Sequence, residues 1–368
     1  MARNDEFYTQ FNDIQAEMNA YIDYNPDVFR GKTVLLPCDD PEQSNFTKFF
    51  VGNFDRFGLK RLVSTSYVPE EGGRGKLFVL EEDVTQDGRR NMDDLVVSQL
   101  SGNGDFRSEE VRALRDSADI IVTNPPFSLF REFVAWIMEA GKQFIIIGNM
   151  NAITYKEVFP LIRDNRTWLG ATGFVTDMVF GVPEGAIVKE SDKQKAERLG
   201  YIGNYTRMGN TCWFTNVDHG RRHQPLKLMT MADNFKHSKH KEIRGRTEYV
   251  RYDNYDAIEV PFTDAIPSDY DGAMGVPVSF IDKYCPEQFE ILGITLGNTV
   301  DYEMTALYTN AIQHNKDGST QGGGKVNTRA AILVKEAPAN VVYYTADNAD
   351  GYLVSLYPRI LIRKKKTQ

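Results

Sequence analysis

Residues 120–127 read Ile-Ile-Val-Thr-Asn-Pro-Pro-Phe, an apolar run cut off by two consecutive prolines. No helix runs through such a pair, because proline lacks an N–H and pushes the residue before it to extended backbone. Ile120, Ile121 and Val122 therefore predict a buried strand, and Asn124-Pro125-Pro126-Phe127 a rigid loop leaving its carboxyl end. The loop offers one side-chain amide, two backbone-fixing rings and one aromatic face. One reading is a strand end with turn residues. The other is a pocket that holds a planar amine by its edge and stacks on its face.

The flanking sequence alternates strand and helix. Thr33-Val34-Leu35-Leu36, Leu62 to Tyr67, Leu77 to Leu80 and Phe144 to Ile147 read as short strands. Between the first two, Ser44 stands at a helix N-cap position, and Phe46, Phe49, Phe50, Phe54 and Phe57 recur at near-helical spacing until Gly58. That stripe is core packing. After the proline pair, Leu129, Phe130, Phe133, Val134, Ile137 and Met138 form one helical face that stops at Gly141. Continuous apolar strands between amphipathic helices predict a parallel sheet covered on both faces. Residues 168–175 and 211–217 predict two more strands, an antiparallel pair closing that sheet.

In such sheets, ligands bind outside the carboxyl ends of the strands. Four polar loops fall there: Cys38-Asp39-Asp40, Ser64-Thr65-Ser66-Tyr67, Gly102-Asn103-Gly104-Asp105-Phe106 and Asn124-Pro125-Pro126-Phe127. Each has a bland reading as a turn or helix start. Their occurrence together, in this order, is the stronger signal.

A net charge of −8 excludes a protein that coats nucleic acid without selectivity, so any such contact must be local. Residues 221–251 hold nine Lys/Arg, beginning with Arg221, Arg222 and Lys227, against three acids. They are the candidates for phosphate contact, a solvated charged face being the alternative. The histidines at 219, 223, 237 and 240 have no cysteine at zinc-finger spacing, and no metal is expected. Residues 314–328 are glycine-rich, but Val326 stands where a phosphate loop needs Ser or Thr, so a flexible loop is expected. Three cysteines without paired spacing, an amino terminus without an apolar stretch, and no run near the ~20 residues of a membrane span point to the cytoplasm.

Asn-Pro-Pro-Phe after a strand resembles the catalytic motif of amino-methyltransferases that use S-adenosylmethionine. The whole chain resembles the EcoRI type of adenine-N6 DNA methyltransferase. The resemblance is carried by DEFYTQ (5–10), CDDPEQSNF (38–46), GNGDFRS (102–108), VTNPPFSLF (122–130), ITYKEVF (153–159), YDNYDAI (252–258), MGVPVSF (274–280), PEQFEI (286–291) and RILIRKK (359–365). It is weakest over 310–350, a candidate insertion. Two departures from the general methyltransferase pattern stand out: Cys-Asp-Asp-Pro replaces the usual glycine-rich turn, and no acid directly ends the second strand.

The resemblance implies a Rossmann-like class I methyltransferase, α/β, with a mostly parallel seven-stranded sheet and helices on both faces. Residues 1–220 would form the S-adenosylmethionine-binding catalytic domain and 221–368 a target-recognition, DNA-binding region. The side-chain oxygen of Asn124 and the carbonyl of Pro125, aimed by Pro126, would accept the two N–H groups of adenine N6, while Phe127 stacks on the base. Asp105 and Phe106 would hold the adenosine end of the cofactor, Cys38, Asp39, Asp40 and Tyr67 its ribose and methionine parts, and Tyr8 and Thr9 would close over the methionine end, beside Asn124. S-adenosylhomocysteine is the implied product, without a metal. The implied partner is double-stranded DNA with the adenine flipped out, met by a monomer, beside a separately acting restriction endonuclease. Methylation of RNA adenine or of a protein glutamine uses the same tetrapeptide, and a non-catalytic DNA-binding module is the reading from another class.

Overall fold

The computed structural model describes residues 7–38, 42–175, 178–297 and 302–366. The chain divides into two compact units, Met1–Ile162 with Arg166–Arg221, and Arg163–Asn165 with Arg222–Gln368.

The first unit begins with β1 (Tyr8–Thr9) and α1 (Phe11–Tyr24), where Ile14, Met18 and Tyr21 recur on one buried face. Then come β2 (Thr33–Leu36), α2 (Asn45–Gly52), α3 (Phe54–Phe57), β3 (Arg61–Thr65), β4 (Lys76–Leu80), β5 (Val96–Gln99) and α4 (Glu109–Ser117). The phenylalanine stripe is two helices, not one. Asn53 turns its amide back onto the carbonyl of Phe49, 2.8 Å away, and interrupts the run before Gly58 ends it at φ +63. The hydroxyl of Ser44 caps α2 by accepting from the N–H of Phe46. After α4 follow β6 (Ile120–Thr123), α5 (Phe130–Glu139), β7 (Gln143–Asn149), α6 (Phe159–Arg163), β8 (Trp168–Leu169), β9 (Met178–Gly181), α7 (Glu190–Arg198), β10 (Tyr205–Met208) and β11 (Thr211–Thr215).

Eight strands, where seven were expected, form the large sheet in the order β5-β4-β3-β2-β6-β7-β11-β8. The four central strands β3, β2, β6 and β7 run parallel, and the pairs flanking them are antiparallel. The closing pair takes a different form from the one expected. β11 inserts between β7 and β8, and β8 shrinks to two residues because Gly173–Val175 coils into a 3-10 turn. A second sheet of this unit, β1-β9-β10, is antiparallel and places Tyr8 opposite Gly181 and Thr9 opposite Phe180. Inside, Glu17 of α1 is fully buried. Its carboxylate accepts from Tyr21, from the N–H groups of Ala171 and Thr172, and from the Thr172 hydroxyl, while burial raises its pKa.

The second unit contains α8 (Met231–His237), β12 (Ile258–Glu259), β13 (Met274–Pro277), β14 (Phe289–Ile294), β15 (Ile312–His314), β16 (Thr320–Gly322), β17 (Ala331–Val334), β18 (Tyr343–Thr345), β19 (Tyr352–Ser355) and β20 (Arg359–Lys364). Two sheets result, β12-β13-β20-β14 and β16-β15-β18-β19-β17. The segment 310–350 is thus most of a five-stranded sheet with its own small core around Tyr308, Val326, Tyr344 and Leu353. Residues 314–328 are not a flexible loop. They complete the β15–β16 hairpin, whose turn is held by Asn315 N–H on the carbonyl of Ser319 and Ser319 N–H on Asp317, and then enter a short 3-10 helix. No described helix is long and apolar enough to cross a membrane.

Candidate active site

Because β3, β2, β6 and β7 are parallel, their carboxyl ends share one edge of the sheet. β5 is antiparallel to β4, and β4 to β3, so β5 runs with β3 and its exit loop reaches the same edge. Backbone hydrogen bonds stitch two of the candidate loops together there. Val68 donates to the carbonyl of Asn103 and Gly75 to that of Gly102, both at 2.9 Å. Gly104 has φ +82, and a Cβ on it would lie 2.0 Å from the Ser66 carbonyl oxygen, so only glycine allows the approach. On the other side, the Thr123 hydroxyl at the end of β6 donates to the carbonyl of Pro37, joining the exit of β6 to that of β2. Cys38 follows at φ +69, uncommon for a non-glycine residue. Asp39 and Asp40 lie outside the described residues.

The Asn124-Pro125-Pro126-Phe127 loop leaves β6 as expected, with Pro125 buried and a 3-10 turn starting at Phe127. The Asn124 Nδ2 donates to the carbonyl of Phe7 at 2.7 Å. Its Oδ1 is buried and has no partner among the described residues. A buried acceptor left open is unusual, and a ligand N–H is the group that would complete it. The Phe127 ring stacks on Phe7, with centroids 5.8 Å apart and planes at 24°.

The described cofactor candidates at 38, 67, 105 and 106 lie in loops at this same edge of the sheet. Tyr67 is exposed beside Gly104. Asp105 is gripped by Arg107, whose Nε and Nη2 reach its two oxygens at 2.9 and 2.7 Å, and this contact holds its carboxyl below the usual range. Phe106 is buried edge-on to Phe133 and Trp136 of α5, so its ring anchors the loop to the core. Tyr8 and Thr9 form β1, immediately after the Phe7 that holds Asn124. The hydroxyls of buried Thr9 and of Thr65, at the end of β3, also have no partner among the described residues. Open hydroxyls, a carboxylate and an exposed phenol on one edge are a donor and acceptor set that fits a nucleoside carrying an amino-acid tail. Sequence reasoning named Tyr8 and Thr9 but missed Phe7, although it stands inside the same stretch; only the fold reveals its contact with residue 124.

The three candidate DNA contacts separate. Arg221 is half-buried with Nη1 3.4 Å from the Ala171 carbonyl, and Gly173 at φ +65 leaves the space its guanidinium fills. Arg222 is buried and donates to Asn165. Lys227 is exposed, as are Lys236, Lys241, Arg244 and Arg246, and none of these five has an acidic partner among the described residues. Lys239 and Arg251 are paired with Asp264 and Asp256. The histidines go separate ways: His219 to the Leu169 carbonyl, His223 to Glu287, and His240 to Asp264 with its ring stacked on Phe262. Among the described residues no group of three or more His, Cys, Asp or Glu is placed to hold a metal ion.

A half-satisfied amide, a proline-fixed backbone and an aromatic ring at the carboxyl edge of parallel strands in a mixed α/β sheet mark the chain as a methyltransferase of planar amino nitrogens. The model of the EcoRI adenine-specific methyltransferase family matches residues 1–365. The chain is 40% identical over 309 residues to the Type II methyltransferase M.EcoRI of Escherichia coli, covering 80% of this chain and 87% of that protein. It is 34% identical over 338 residues to the Type II methyltransferase M.MpnI of Mycoplasma pneumoniae, covering 91% and 96%. No solved structure matches the chain. The chain belongs to the EcoRI family of adenine-specific methyltransferases, and it is a site-specific adenine DNA methyltransferase.

Proposed function

We propose that the chain methylates N6 of an adenine swung out of duplex DNA, using S-adenosylmethionine and releasing S-adenosylhomocysteine. The carrying observation is the buried, open Oδ1 of Asn124. The N6 lone pair is delocalised into the purine ring, which makes the nitrogen a poor nucleophile. An acceptor on each N–H draws it toward tetrahedral geometry and frees the pair. Asn124 Oδ1 is one acceptor and the Pro125 carbonyl the other, held in place before the base arrives by the paired prolines. Asn124 is neutral, so it assists as an acceptor and not as a base, and the proton that N6 sheds once the methyl group is on passes to solvent. Phe127 supports the face of the base. When bound, the cofactor supplies an electrophilic methyl group. Asp105, Tyr67, Thr65 and the exits of β2 and β1, with Cys38, Tyr8 and Thr9, are the residues that would hold it, while Phe106 secures the loop of Asp105 from behind.

A base within a duplex cannot reach a loop at a sheet edge, which is the reason for flipping. Phosphate contact is assigned to the five unpaired exposed cations, Lys227, Lys236, Lys241, Arg244 and Arg246, and base reading to other residues of 222–368. We further infer a cytoplasmic monomer whose cognate endonuclease, where one exists, is a separate protein. The deciding experiment offers tritium-labelled S-adenosylmethionine to duplex DNA, single-stranded RNA and protein side by side. Label in N6-methyladenine of the duplex is expected; label confined to RNA or protein overturns the reading.

A further inference from the structure

Phe7 meets the catalytic loop twice, through its backbone on Asn124 and through its ring on Phe127. We infer that Phe7 is a positioning residue for methyl transfer: its carbonyl sets which way round the Asn124 amide sits, and its ring holds Phe127 in place. The inference rests on the acceptor role proposed for Asn124.

An asparagine amide has a donor end and an acceptor end of nearly equal size. Turned the wrong way, Asn124 would present an NH2 group to the target amine, two donors facing each other, and the nitrogen would gain nothing. A carbonyl only accepts. The Phe7 oxygen, 2.7 Å from Nδ2, therefore leaves one orientation, in which Oδ1 is the end kept open. Without that carbonyl, no described group distinguishes the two ends.

The position of Phe7 is itself fixed from outside the loop. Tyr8 and Thr9 pair with β9, the Asn45 side chain donates to the Thr9 carbonyl at 2.8 Å, and the Phe7 ring meets Phe180 of β9 edge-on at 6.0 Å. The ring packs against the rim of the first unit's core. It is half-buried and lines an open cleft of about 460 Å³ together with Val188, Thr206, Arg207 and Met208. Truncating it removes the platform against Phe127 and loosens the hold on the strand that presents the carbonyl.

The test is a double-substitution cycle read in single-turnover methylation with cofactor and DNA saturating. Phe7→Ala is expected to lower the rate ~10–100-fold with cofactor affinity within about three-fold, and Phe7→Leu, which keeps the strand docked, to recover most of it. In an Asn124→Ala background, Phe7→Ala should cost several-fold less than in the natural background, because the amide it orients is gone and only its support of Phe127 remains. Equal losses in both backgrounds, or a Phe7→Ala defect lying wholly in substrate binding, would overturn the positioning role and leave the acceptor role standing. A fully active Asn124→Ala would overturn both. Circular dichroism and cofactor binding identify a misfolded Phe7→Ala, and the Phe7→Leu arm then decides: a loss as deep as that of alanine counts against the inference.

Discussion

Two asparagines, one in each unit, show how differently this chain treats a buried amide. Asn254, within YDNYDAI, is fully buried and complete: Nδ2 donates to the Arg329 carbonyl at 2.9 Å, and Oδ1 accepts from the Ala331 N–H at 2.8 Å. It joins the segment before β12 to the start of β17, with both ends of the amide engaged. Asn124 is bound at one end only. A buried polar atom without a partner costs stability, so folds close such atoms wherever they can. The contrast separates an amide that holds structure from one held for chemistry.

Substitution should split the two cleanly. Asn124→Ala is expected to lower single-turnover methylation by ~10²-fold or more, with DNA and cofactor affinities within a few-fold, the scale of one lost preorganised hydrogen-bonding group. Turnover that barely changed would remove its acceptor role. Asn254→Ala should do the reverse and destabilise the second unit by roughly 2–4 kcal/mol, since it strands one buried N–H and one buried carbonyl. An unchanged denaturant midpoint would show those groups finding other partners.

A weaker contrast concerns charge. Neutralising Lys227, Lys236 and Lys241 together should flatten the plot of log affinity against log salt by ~2–3 units and weaken all duplexes alike, each phosphate contact contributing about 0.9. An unmoved slope would make this stretch a solvated face. The smallest expected effect lies on α1, where burial pushes the Asp13 carboxyl up to about 6 from its ordinary 3.8. The folded state then binds the proton more tightly than the unfolded chain, so stability falls as pH rises from about 4 through 6. Asp13→Asn should therefore stabilise the protein by at most ~1 kcal/mol at pH 8 and by nothing near pH 3.5, because the group is partly solvated. Equal gains at both pH values would remove the titration from the account.

The central strands and the catalytic loop were legible because continuous apolar runs and a proline pair admit few conformations. The phenylalanine stripe was legible as core but not as two helices, since the break comes from one side-chain hydrogen bond at Asn53. β1 and β8 are two residues each, too short to carry any period. β16 is exposed at all three positions, so its order comes from backbone pairing and turn residues and not from a hydrophobic alternation. Arg221 and Arg222 read as surface charge beside Lys227, yet the space at Gly173 and the acceptor at Asn165 draw both inward, which a list of charges does not reveal. Phe106 was legible as an aromatic at the right loop; that its ring serves the core depends on Phe133 and Trp136, from the helix that follows β6.

The pairing of Tyr8 and Thr9 with Phe180 and Gly181 also orders events in time. A strand made among the first residues has no mate in its sheet until β9 has been synthesised, so the chain must close a loop of some 170 residues before its beginning can settle. On a ribosome, the stretch carrying Phe7 waits while β2, β3, β6 and β7 emerge. The reactive amide thus waits on a late pairing, and a truncated product ending before β9 would carry the catalytic tetrapeptide and Phe7 without the strand that fixes Phe7.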